Sequence, residues 1–150
     1  MDKILLKEKS TRVELIISGI GAVACLIFTM ALWFSLARYQ PIWLLPGAYF
    51  LELMITAIVC FLSFIYFFQW APHLSWIYSG ILIVFSMLAG FSVGFLYIPV
   101  FLIFMGLSIF SDLKHKKPVM SHFVIFLIAG IIQLGLMLAV VQIYKVFIYH

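Results

Sequence analysis

The chain has 150 residues, 67% of them hydrophobic and 9% charged, with a formal charge of +4 at pH 7. A soluble domain carries about 45–50% apolar and about 25% charged residues. This composition therefore excludes an ordinary water-soluble fold and makes lipid the expected solvent.

In chain order, the first dozen residues, MDKILLKEKSTR, carry Lys3, Lys7, Lys9 and Arg12 and read as a basic cytoplasmic segment, 1–12. The apolar stretch Val13–Leu36 follows. It is longer than a signal-peptide core of about 7–15 residues and ends without a small-x-small cleavage pattern, so it reads as an uncleaved first span. The connection ARYQPIWLLPG holds two prolines and a glycine and cannot continue as helix. The second span is expected over 48–69.

The middle of the chain poses the topological question. The 32 residues Ser79–Phe110 contain no Asp, Glu, Lys, Arg or His. One helix of that length would run about 48 Å, against a hydrocarbon core of about 30 Å. Gly90 and Gly94 supply the backbone freedom for a sharp turn, and Pro99 suits the first turn of a new helix. Two spans are expected, 74–91 and 97–112. The loop SDLKHKKP precedes a last span over 120–146.

Basic residues collect on the cytoplasmic side. With the N-terminus inside, five spans place seven of the nine Lys and Arg residues there, and four spans place five. The fold class is therefore an all-α integral membrane protein, one bundle of five transmembrane helices within 13–147. The alternative is four spans with a long kinked or re-entrant third segment. The expected setting is a bacterial plasma membrane, with the N-terminus cytoplasmic and the C-terminus outside.

Helices in lipid associate through small residues and polar contacts. The expected stripes are Ser18, Ala22, Cys25 and Thr29 in the first span and Glu52, Thr56, Ser63 and Tyr66 in the second. Ser79, Ser86 and Gly90 follow in the third, Gly106 in the fourth, and Ala129, Gly130 and Gln133 in the last. The Phe- and Leu-rich faces are expected to meet lipid, and Trp and Tyr to mark the headgroup level. Cys25 and Cys60 read as buried thiols without a redox role.

Two polar candidates lie within the membrane. Glu52 is the only acid set inward from the ends of the spans. An intramembrane carboxylate is a functional candidate by default, for proton or cation coupling. A pair with Arg38 across the first connection would instead make it structural. Gln133 reads as interhelical glue. Lys114, Lys116 and Lys117 form a basic cytoplasmic loop that sets orientation and attracts anionic headgroups.

His73, Asp112, His115 and His122 gather at the inner side, a thin basis for catalysis. His115 and His122 are seven apart across Pro118, so no single helix face presents both, and neither a haem nor a metal site is expected. No P-loop, HExxH, CxxC or GxSxG occurs.

The reading these residues favour is a non-enzymatic accessory or regulatory subunit without a cofactor. It would sit in the lipid bilayer against another membrane protein or a second copy of itself, without nucleic acid. The alternatives are a small oligomeric transporter or channel using Glu52, and a membrane enzyme acting on a lipid or quinone.

Overall fold

The computed structural model describes residues 2–36, 47–67, 69–89 and 94–149, with side chains described for 12–35, 48–67, 69–89 and 94–143. Among these, all regular structure is helical. The helices are α1 (Asp2–Leu36), α2 (Gly47–Tyr66), α3 (Ala71–Leu88), α4 (Ile98–Lys114) and α5 (Val119–Tyr149), with a 3-10 turn, Gly94–Tyr97, leading into α4. All five helices contain a segment long and apolar enough to cross a membrane. The long uncharged run is thus two helices, and helix α1 begins at Asp2, so the basic N-terminal segment continues into the first span without a break.

Proline and glycine explain the boundaries. Pro72 and Pro99 each stand in the first turn of a helix, where a missing N–H leaves no intrahelical bond unmade. Gly90 lies outside the described residues. Gly94 is described, and its backbone rests on α3: a Cβ there would overlap the carbonyl oxygen of Ser86. Only glycine lets the returning chain approach α3 so closely.

Helix α4 ends in a Schellman turn. The Lys117 amide donates to the Asp112 carbonyl at 2.9 Å and the Lys116 amide to the Leu113 carbonyl at 3.3 Å. Lys116 takes the left-handed conformation, φ 53°, and Pro118 follows, as is common after such a cap. An L-residue in that conformation costs roughly 1 kcal/mol. Lys116→Gly is therefore expected to raise the thermal midpoint of the purified protein slightly. A lowered midpoint would show that the lysine side chain matters more than the strain.

Helix α3 is the hub. It packs against α2, α4 and α5, while α1 lies against α2 and α4. Half of its membrane-length window is buried, against 22% for α5 on the rim. The α1 stripe is as expected: Ser18, Ala22, Cys25 and Thr29 are all buried. Helix α2 differs in part. Its buried face is Tyr49, Phe50, Leu53, Ala57, Cys60, Ser63 and Phe64; of the expected stripe Ser63 is buried, Glu52 and Thr56 are half-buried, and Tyr66 points outward at 71% exposure. Gly106 also fails to pack, since a Cβ there would meet nothing within 4 Å. The close approach belongs to Gly80 of α3, whose added Cβ would lie 2.5 Å from the Phe126 carbonyl oxygen of α5.

Several aromatics assigned to lipid or headgroups are core instead. Phe50, Phe85 and Phe104 are buried, and so are Trp76, Tyr78 and Tyr97. Tyr78 meets Phe104 edge-on at 4.6 Å, and Phe85 meets Tyr97 at 5.0 Å. The tyrosine hydroxyls can be buried because each finds a partner inside the bundle. Tyr97 Oη pairs with Thr29 Oγ1 at 2.9 Å, and Tyr78 Oη donates to Cys25 Sγ at 2.9 Å. Ser75 and Ser108 pair at 2.7 Å between α3 and α4.

Candidate functional site

One end of the bundle gathers the start of α1, the α2–α3 connection and the α4–α5 connection. Three helices bring polar groups together there. Asp112, on the last turn of α4, is fully buried. Its Oδ2 accepts the indole N–H of Trp76 at 2.7 Å, and both its oxygens lie 2.8 Å from Nδ1 of His122, on the first turn of α5. A carboxylate can only accept, so Nδ1 of His122 carries the proton in this contact.

His73, on the first turn of α3, lies against His122 with ring centroids 4.3 Å apart. Its Nδ1 is buried, with no hydrogen-bond partner among the described residues. His73 also lines an open pocket of about 580 Å³, together with Gln69, Trp70, Pro72, His115 and Lys117. The order from core to surface is therefore Asp112, His122, His73, pocket. A carboxylate orients one imidazole, and a second imidazole faces the space a ligand would occupy.

A second pair braces this end. Glu14 of α1 is fully buried, and the Lys114 ammonium donates to its Oε2 at 2.6 Å. His115 Nε2 stands 3.5 Å from Oε1. Lys114 is thus the last residue of a helix and held by an acid, not a member of the exposed loop as expected. Lys116 is exposed at the turn, and the Lys117 ammonium donates to the Gln69 carbonyl at 3.4 Å on the pocket rim. Trp70 remains 65% exposed beside it, the position an indole takes at a headgroup level.

The two intramembrane candidates meet each other. Gln133, 3% exposed, donates from Nε2 to Glu52 Oε2 at 3.1 Å across the gap between α5 and α2. The expected partner Arg38 lies outside the described residues. Cys25 and Cys60 are both buried free thiols.

Sequence reasoning missed two members of the end cluster. Glu14 was not singled out, and Trp76 read as a headgroup marker. His115 and His122 do diverge at Pro118, as their spacing implied. What the spacing hid is that each finds its own carboxylate, Glu14 and Asp112. The available signal was depth: Glu14, Trp76, Asp112 and His122 all fall within a turn or two of the same end of their spans. Among the described residues no three His, Cys, Asp or Glu side chains are arranged to hold a metal ion. Comparison with protein-family models, with characterised proteins and with solved structures finds no match to this chain, so its function is argued from the site alone.

Proposed function

We propose that this protein is an integral membrane enzyme that hydrolyses a phosphoester of an anionic amphiphile at the polar end of its bundle. The observation that carries the reading is the buried Asp112–His122 pair set behind His73, which faces a basic pocket. Lys117 supplies positive charge for a phosphate, His115 lines the same pocket, and Trp70 suits the headgroup level at which an amphiphile offers one.

His73 is the catalytic residue in this reading. It takes a proton from water as the water oxygen bonds to phosphorus, and returns it to the ester oxygen as that P–O bond breaks. His122 and Asp112 are positioning residues that fix the orientation of His73 from behind. The basic end faces the cytoplasm, and with five crossings the chain then finishes on the opposite face of a plasma membrane. An accessory role, the reading the sequence favours, gives the buried Glu14, Asp112 and His122 no task beyond packing.

The test is turnover. Purified protein is reconstituted in vesicles made from a total bacterial lipid extract, and the lipids are compared before and after incubation. The expected result is loss of one anionic phospholipid class with wild-type protein, slowed on the order of 100-fold or more by His73→Gln. Identical lipid profiles for wild type and variant would end the enzymatic reading.

A further inference from the structure

The Glu52–Gln133 bridge crosses a cleft with a chemistry of its own. The cleft holds about 300 Å³ between α2, α3 and α5 and lies open to the outside of the bundle. Five isoleucines line it, Ile77 and Ile81 from α3 and Ile125, Ile128 and Ile132 from α5, together with Leu136. Ile128, Ile132 and Leu136 are more than half exposed, so the opening faces sideways, where acyl chains lie in a membrane. Tyr49 Oη donates to the Met137 carbonyl at 3.3 Å, a second tie between α2 and α5.

Among the described residues Glu52 is the only ionisable group in this lining. It accepts one hydrogen bond, from Gln133, at Oε2. Among the described residues no Lys, Arg or His forms an ion pair with it. A carboxylate held in an apolar slot is costly unless it is paired or hydrogen-bonded on its remaining sites. A small pocket with an apolar wall and one or two convergent polar groups is the common form of a ligand site.

The lining also selects the ligand. The negative charge calls for a cation, and the lateral opening for one that dissolves in the bilayer. Among the described residues no aromatic side chain lines the cleft. A quaternary ammonium, which favours aromatic faces, therefore gains little there, whereas an N–H donor can bond directly to Glu52 Oε1. The isoleucine walls suit a straight aliphatic chain.

We propose that the cleft binds a long-chain alkylamine in its protonated form, with its ammonium group on Glu52 and its chain along the isoleucines of α3 and α5. The cleft is separate from the polar end. Along α2, Glu52 lies 14 residues, about 21 Å, from Tyr66 at that end.

The probe is radiolabelled dodecylamine, added to the protein in phosphatidylcholine nanodiscs, with empty discs subtracted. Saturable uptake near one molecule per chain is expected. Glu52→Gln, which keeps a hydrogen-bonding partner for Gln133, is expected to weaken uptake at least tenfold, and Glu52→Asp to retain most of it. Ile128→Trp, a change at an exposed position that fills the cleft and leaves Glu52 untouched, is expected to weaken uptake as well. Neither dodecanoate nor dodecyltrimethylammonium is expected to compete. Absence of saturable uptake by wild type, equal uptake by Glu52→Gln, or full competition by the quaternary amine would each overturn the proposal and leave Glu52–Gln133 as a structural bridge. Lipid turnover by the same preparations reads the polar end independently, so failure of either proposal leaves the other standing.

Discussion

Asp112→Ala is expected to be among the most damaging single substitutions in the chain. The side chain is fully buried and satisfies two groups from two different helices, the Trp76 indole and the His122 imidazole. Its removal leaves a buried N–H on each without a partner. An unsatisfied buried donor costs about 1–3 kcal/mol, and breaking a buried carboxylate–imidazole pair about 3–5 kcal/mol. Native folded proteins hold only about 5–15 kcal/mol in total.

Thermal unfolding of the purified protein in detergent checks this. The variant is expected either to unfold far below wild type or not to accumulate. Asp112→Asn separates structure from chemistry. The Asn carbonyl can still accept from Trp76, but its amide then faces His122 Nδ1 and favours the other tautomer. Near-wild-type folding with strongly reduced turnover is expected. If Asp112→Ala unfolds with wild type, the buried network does not carry the weight assigned to it.

Gly80→Val is expected to be nearly as severe, for a steric reason. The first carbon of any side chain at Gly80 meets the Phe126 carbonyl oxygen at 2.5 Å, the Gly130 amide nitrogen at 3.1 Å and Ala129 Cβ at 3.2 Å. The first two are backbone atoms of a packed helix and cannot rotate away. Overpacking a core typically costs about 1–3 kcal/mol, and with backbone on the other side the helices must part.

The same α3–α5 contact places His73 beside His122, so parting the helices dismantles the site as well. Gly106→Val and Gly135→Val are the controls, since a Cβ at either position meets nothing within 4 Å. The expected order of thermal midpoints is wild type, Gly106→Val and Gly135→Val close together, with Gly80→Val well below. Equal midpoints for Gly80→Val and Gly106→Val would contradict the assigned packing.

Those two glycines also show how far sequence alone reaches. Span number was legible, because an uncharged run of 32 residues exceeds what one crossing can use and the charge distribution favoured a turn. The packed face of α1 was legible too, since Ser18, Ala22, Cys25 and Thr29 recur at helical spacing. Periodicity within one helix does not say which neighbour that helix meets, so Gly106 was assigned to an interface that Gly80 in fact occupies.

The aromatics misled for a related reason. A headgroup marker and a core residue look alike until a hydrogen-bond partner is known, and Trp76 and Tyr97 find theirs on other helices, Asp112 and Thr29. The end cluster was visible only as four residues at one depth. Its connectivity depends on the arrangement of α3, α4 and α5 around a common axis, which no local pattern encodes. Glu52 and Gln133 were each recognised alone, and their meeting required the fold.

The contact between His73 and a phosphate bears most directly on the functional reading. Protein labelled with nitrogen-15 at histidine, reconstituted with phosphatidic acid, can be probed by solid-state phosphorus–nitrogen dipolar recoupling. We expect a dephasing signal at the His73 ring nitrogens that disappears in Lys117→Gln and persists in Glu52→Gln. Histidine signals that show no phosphorus coupling above that of a phosphate-free control would contradict a headgroup site at this end of the bundle.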